Sequence, residues 1–139
     1  MHLRATVATS HLEPDARVLV IDPDDDMRDA LLLLFQAEGW PAIGVTTGAK
    51  AIALFRRGLR PQVIILDLML QGSSGFAFRA EQLADPVLRL IPTIVVSAIA
   101  QSEIVRRTLQ VQHFLSKPFD IDRLLAMVRV HCERQPAAA

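Results

Sequence analysis

The sequence predicts a doubly wound α/β domain, with a five-stranded parallel sheet of order 2-1-3-4-5 and helices on both faces. Three observations predict it. Short apolar runs alternate with stretches of helical period along most of the chain. Each helical stretch lies between two consecutive runs, so each strand is reached by a crossover and the strands run parallel. Four of the runs also end in a reactive side chain. Val18-Leu19-Val20-Ile21 ends at Asp22, and Val63-Ile64-Ile65-Leu66 at Asp67. Thr93-Ile94-Val95-Val96 ends at Ser97, and His113-Phe114-Leu115-Ser116 at Lys117-Pro118. In a parallel sheet all C-terminal strand ends lie on one edge, where such folds bind ligands.

The elements follow in order. The first strand is expected over 17–22 and the first helix over 25–38. Met27, Ala30, Leu31, Leu34 and Phe35 recur at helical spacing, and Gly39 supplies a stop. A second strand over 41–46 leads to a helix over 48–58, with Ala51, Ile52 and Phe55 turned inward. The third strand covers 62–67, and the third helix 75–84 stops before Asp85-Pro86. The fourth strand covers 92–97 and its helix 101–110, the least periodic of the five. The fifth strand, 113–117, precedes a helix over 120–133 with Ile121, Leu124, Leu125, Val128 and Cys132 on one face. Residues 1–16 show no period and read as an extension, and 135–139 read as a tail, leaving one domain over 17–134.

Composition narrows the function classes. The chain has 139 residues, enough for one domain with a sizeable core. Fifteen basic and fifteen acidic residues cancel, with no basic run, so nucleic acid and anionic membranes are not expected partners. The lone cysteine, Cys132, excludes an internal disulfide and fits a reducing compartment. The first 16 residues lack the apolar centre of a signal peptide, and no apolar run is long enough to span a bilayer. A cytoplasmic location is expected.

Two acids, a hydroxyl and an ammonium meeting at one sheet edge would suit a divalent cation and a phosphoryl group. Asp67 follows four branched apolar residues. An unpartnered carboxylate there would be costly to keep ionised, which argues for a site. Asp22-Pro23-Asp24-Asp25-Asp26 is acid-dense. Asp25 and Asp26 read most simply as acids favouring a helix N-terminus, whereas Asp22, the last strand residue, belongs with Asp67. A calcium loop fails on the same stretch, because Met27 stands where its glycine belongs and Leu33 where its bidentate glutamate belongs. The Lys117-Pro118 bond is a candidate for the cis form.

The segments VLVID (18–22), VIILDLMLQGSSG (63–75), IPTIVVSA (91–98) and FLSKPF (114–119) together resemble the receiver domain of bacterial two-component response regulators, from about Arg17 to Arg134. The resemblance implies a flavodoxin-like (βα)5 fold. It implies Asp67 as the acceptor of a phosphoryl group from a sensor histidine kinase or phosphotransfer protein. Mg²⁺ would be held by Asp22, Asp67 and the backbone carbonyl of Met69. Ser97 and Lys117 would contact the phosphoryl oxygens, Ala98 would leave them accessible, and Phe114 would swing inward with Ser97 as the switch. Gly75 matches the glycine before the third helix. The physics agrees, since attack of a carboxylate on phosphorus brings anions together and requires cationic compensation.

Two departures matter. Pro23 stands where the family carries a second acid, so Mg²⁺ binding is expected to weaken unless Asp24 substitutes. Ser97 to Lys117 spans 20 positions, about two fewer than in the family, and Gln110-Val111-Gln112 lacks its Gly-Ala turn. The fourth helix should be shorter or reoriented. Gln71 replaces a common proline. The leading expectation is a phosphoacceptor that is not an enzyme beyond self-catalysed phosphotransfer and autodephosphorylation. Its output would be contact with a downstream protein, with a homodimer open. A competing reading is a pseudo-receiver that binds partners without phosphorylation. A remote one is a phosphatase of the haloacid dehalogenase type, whose D-x-D motif Asp22 to Asp24 fits but whose later acidic motif is missing.

Overall fold

The computed structural model describes residues 16–69, 75–99 and 101–133. The expected alternation is present. The strands are β1 (Val18–Ile21), β2 (Ala42–Val45), β3 (Val63–Leu66), β4 (Thr93–Ser97) and β5 (His113–Ser116). The helices are α1 (Asp25–Ala37), α2 (Gly48–Arg56), α3 (Gly75–Leu83), α4 (Glu103–Leu109) and α5 (Ile121–Cys132). A 3₁₀ turn at Leu88–Leu90 precedes β4. All four strand pairings are parallel, in the order β2-β1-β3-β4-β5.

The sheet is sandwiched between two helical layers, and the alternation of side chains along each strand divides the core accordingly. Val18, Val20, Val63, Ile65, Ile94, Val96 and Leu115 pack with Leu31 and Phe35 of α1 and with Leu124, Val128 and Cys132 of α5. Leu19, Ile21, Ile64, Leu66, Val95 and Phe114 pack on the other side with Ala51, Ile52, Phe55 and Phe78 of α2 and α3. The inner strands are buried on both faces, so β1, β3 and β4 read as unbroken apolar runs. Edge strand β2 is half-buried throughout.

Helix boundaries have local causes. Asp24, Thr47, Ser102 and Asp120 are N-caps whose side chains accept backbone N–H bonds. Gly39 and Gly58, at φ +89° and +106°, stop α1 and α2.

Four expectations need correction. Ala30 is exposed rather than core. The stripe of α1 runs through Met27, Leu31 and Phe35, and Arg28 and Leu32 take its flank. A Cβ on Gly44 would meet Arg28 Cγ at 2.8 Å, so the arginine stem lies on bare strand backbone. Ile121 sits in the first turn of α5 and is more than a third exposed. Ala16, assigned to the extension, packs into the core; the rest of that segment and the 135–139 tail lie outside the described residues. Helix α4 starts at Glu103 and has only seven residues, the shortening expected from the missing positions. It ends on Gln110 at φ 52°, a non-glycine residue in the left-handed region.

Candidate functional site

Register assembles the site. Ile21 of β1 lies opposite Leu66 of β3, so the residues that follow, Asp22 and Asp67, stand side by side at the C-terminal edge. The Asp67 N–H donates to the Ile21 carbonyl at 3.0 Å, and the Asp22 N–H to the Val45 carbonyl at 3.1 Å. On the other flank Ser97 pairs with Ser116, and the Lys117 N–H donates to the Ser97 carbonyl at 2.9 Å. The Lys117-Pro118 bond is cis. The ladder thus brings Asp22, Asp67, Ser97 and Lys117 to one edge.

The side chains form a compact ionic cluster. Lys117 Nζ lies 2.7 Å from Asp67 Oδ2 and 3.5 Å from Asp22 Oδ2. The other carboxylate oxygens are held by backbone two residues on: Asp24 N–H donates to Asp22 Oδ1, and Met69 N–H to Asp67 Oδ1, both at 2.8 Å. Asp22, Asp67 and Ser97 are buried, while the Lys117 side chain keeps 21% exposure at the mouth. The Ser97 hydroxyl oxygen accepts from the Ile99 N–H at 3.2 Å, leaving its own proton to donate.

The electrostatics follow from that packing. Burial raises the Asp22 pKa and the Asp67 charge adds to the rise, against the Asp24 N–H and Lys117. Burial opposes the charge on Lys117, but its hydrogen bond to Asp67 and the two carboxylate charges outweigh it and raise its pKa. Two carboxylates around one ammonium leave a net negative charge in a partly desolvated notch. A small hard cation fits that donor set, because Mg²⁺ is commonly held by one or two carboxylates with water completing the shell. Among the described residues no third His, Cys, Asp or Glu joins the pair.

Two expected site residues behave differently. Asp24, the suggested substitute ligand, is exposed and spends its Oδ1 on the N–H groups of Asp26 and Met27. Free backbone donors at the start of α1 claim the nearest acid. Phe114, the expected switch aromatic, is buried in the core at 4% exposure. Met69 is exposed and contributes its backbone N–H to Asp67. Gln71 lies outside the described residues.

Arg28 and Gln101 escaped the sequence reading, and Gly75, matched there to the glycine before the third helix, gains its physical reason here. Arg28 donates to the Asp22 carbonyl at 2.8 Å and pairs with Asp25. The signal was present, since Arg28 sits one turn into a helix that starts beside Asp22. Gly75 begins α3 against the acceptor loop: a Cβ there would lie 2.6 Å from Leu68 Cα and 2.7 Å from the Asp67 carbonyl oxygen. Gln101 bridges to β5, donating to the Phe114 carbonyl at 3.1 Å and the Ser116 hydroxyl at 3.3 Å. No local pattern announces it.

Comparison with known proteins agrees with this arrangement. The family model described as "Response regulator receiver domain" matches residues 18–129. Protein Rrf1 of Nitratidesulfovibrio vulgaris is 32% identical over 113 residues, covering 81% of this chain and 80% of that protein. The DNA-binding dual master transcriptional regulator RpaA of Synechocystis is 31% identical over 128 residues, covering 88% of this chain. The chain spans about half of RpaA, 53% of its length. The receiver domain of the Francisella response regulator 1452 superposes with a TM-score of 0.75 at 25% identity, covering 84% of this chain and 96% of that one. From Val18 to Arg129 the chain belongs to the response regulator receiver domain family of two-component systems.

Proposed function

We propose that the domain accepts a phosphoryl group on Asp67 from a phosphohistidine of a sensor histidine kinase or phosphotransfer protein. The observation that carries this reading is the buried Asp67 carboxylate with Lys117 Nζ at 2.7 Å and Asp22 alongside. An Asp67 oxygen forms the O–P bond as the P–N bond breaks, and the bonding electrons return to the imidazole. Lys117 follows the developing charge, since its ammonium already rests on Asp67 Oδ2. The Ser97 hydroxyl has a proton to give to a phosphoryl oxygen. Asp22 and Asp67, with the Met69 carbonyl, would hold Mg²⁺. When bound, it would offset the charge that gathers as carboxylate and phosphoryl group approach. The domain is then a phosphoacceptor rather than a turnover enzyme, apart from self-catalysed transfer and autodephosphorylation.

Output runs through protein contact, with a downstream protein or a second copy, in the cytoplasm. Among the described residues no helix is long and apolar enough to cross a membrane. RpaA is a DNA-binding protein by name. We assign no nucleic-acid contact to the domain shared with it. A second reading, a pseudo-receiver that signals without phosphorylation, is favoured by Pro23, which supplies no side-chain oxygen. The phosphatase reading loses its second acid, because Asp24 caps α1.

Intact mass after incubation with acetyl phosphate and Mg²⁺ separates these readings. One added phosphoryl group, removed by hydroxylamine and absent from Asp67→Ala, is the expected result. Label that survives Asp67→Ala overturns the acceptor assignment. No label at saturating Mg²⁺ favours the pseudo-receiver.

A further inference from the structure

At the end of the sheet opposite Asp67 lies a recess of about 280 Å³. It opens where the chain enters β4 and β5, and its walls include Arg79, Arg89, Thr93, Gln110, His113 and His131. Among the described residues no acidic one lines it. Arg79 is the unusual member. It belongs to α3 yet is only 6% exposed, and among the described residues its hydrogen bonds go to neutral acceptors. Its Nε donates to the Leu109 carbonyl at 2.7 Å and its Nη2 to the Gln110 carbonyl at 2.8 Å. Its Nη1 reaches Gln82 Oε1 at 2.8 Å and Thr93 Oγ1 at 3.1 Å. Burial lowers its pKa, as expected for a cation withdrawn from water.

A buried charge is ordinarily matched by an opposite one. Among the described residues neither Arg79 nor Arg89 has a carboxylate within ion-pair distance. Their charges face the same space. Two guanidiniums beside a recess with no acid among the described residues make a field that attracts anions, strengthened by low-dielectric walls. The size limits the ligand. At about 280 Å³ the recess falls just below the range of ordinary small-molecule sites, roughly 300–1,000 Å³. It holds a compact anion and not a nucleotide.

We propose that this recess binds a small phosphate-like dianion, with Arg89 closing over it and Arg79 supplying the buried charge. Arg79 also holds the last carbonyls of α4, where Gln110 takes its left-handed cap. Occupancy is therefore read by the α4–β5 connection. This site is independent of phosphorylation at Asp67.

The test is a titration of the whole chain with inorganic phosphate, without Mg²⁺ and at constant ionic strength against chloride, followed by amide shifts. The expected result is saturable shifts at Thr93 and at Gln110 to His113, unchanged in Asp67→Ala. Arg89 is exposed, so Arg89→Gln keeps the fold; it should weaken binding roughly tenfold or more, the size of a lost charge-assisted contact. Arg89→Lys should retain most of it. Arg56→Gln, on the exposed side of α2, should have no effect. Non-saturating shifts, shifts centred on Lys117, or equal losses in Arg89→Gln and Arg56→Gln would each overturn the proposal.

Discussion

Pro23 offers no side-chain oxygen to the acidic notch proposed to hold Mg²⁺. Asp22 and Asp67 supply two carboxylates, and Asp24 is occupied in capping α1. A third carboxylate at position 23 would add a charged ligand beside Asp22 and Asp67. One charged ligand contributes about 1–3 kcal/mol, or roughly tenfold or more in affinity. Pro23→Asp should therefore tighten Mg²⁺ binding by at least that factor and speed labelling by acetyl phosphate at limiting metal. Amide-shift titration with Mg²⁺ checks it, and equal affinities would show that the site was never weakened. Asp24→Ala should instead destabilise α1 by about 0.5–2 kcal/mol, the usual loss of a cap, and leave metal affinity nearly unchanged. At the far end of the molecule, burial pushes the Cys132 thiol up to about 11, from an ordinary value of 9.0. The unfolded chain releases that proton first. The contribution of the thiol is therefore complete below pH 9.0 and is lost as pH rises through about 11. Denaturation at pH 8 and above 10 should show a steeper loss for the wild type than for Cys132→Ala. A parallel decline would mean the thiol is not buried in solution.

Helices place the site as much as strands do, and the junction of α3 with the acceptor loop is the tightest case. Gly75 N–H donates to the Leu68 carbonyl at 2.9 Å, and no Cβ fits above it. Alanine normally gains about 1 kcal/mol over glycine inside a helix. Here the methyl would press on backbone, which cannot turn aside as a side chain can. Gly75→Ala should cost about 1–3 kcal/mol, in line with overpacking, and slow phosphorylation by displacing Asp67. A stabilised, fully active variant would refute that geometry. The strands were legible because inner strands of a parallel sheet are apolar on both faces and end where chemistry begins. Asp67 after Val63-Ile64-Ile65-Leu66 says as much without a structure. Helix surfaces were less legible. Nothing in the sequence singled out Arg79 and Gln82, yet both are buried, sharing Thr93 and the carbonyls of Leu88, Ile91, Leu109 and Gln110. Polar residues enter a core when distant backbone acceptors need donors, and local sequence does not encode that need. Asp24 is ambiguous for another reason, because a helix start and a metal site ask for the same residue type.

Across the whole molecule, the site connects unequally to its surroundings. β2 and α1 meet it through Arg28 on the Asp22 carbonyl and through the Asp22 N–H on Val45. The β4–β5 side carries a longer chain of contacts. Ser97 ends β4, and Gln101 ties the following loop to Phe114 and Ser116. Arg106 of α4 donates to Gln101 Oε1 at 2.7 Å and to the Gln112 carbonyl at 3.4 Å. A group on Asp67 that draws the Ser97 hydroxyl would pull on this chain first. Phe114 is packed inside at 4% exposure, which favours a small displacement of its ring over a large swing. The part expected to respond is then the Gln101 bridge together with the start of the short helix α4, where Ile104 is exposed, while its end is held by buried Leu109 and by Arg79. Beryllofluoride with Mg²⁺, occupying Asp67, should shift amides over 97–99, 101–109 and 113–117 more than those of α1 or β2. The Phe114 ring signals should stay nearly fixed. Gln101→Ala should leave acetyl phosphate labelling intact while reducing the shifts in α4, because it cuts the bridge without touching Asp67, Lys117 or Ser97. Shifts spread evenly over the sheet, or an α4 response that ignores Gln101→Ala, would show that the signal leaves the site by another route.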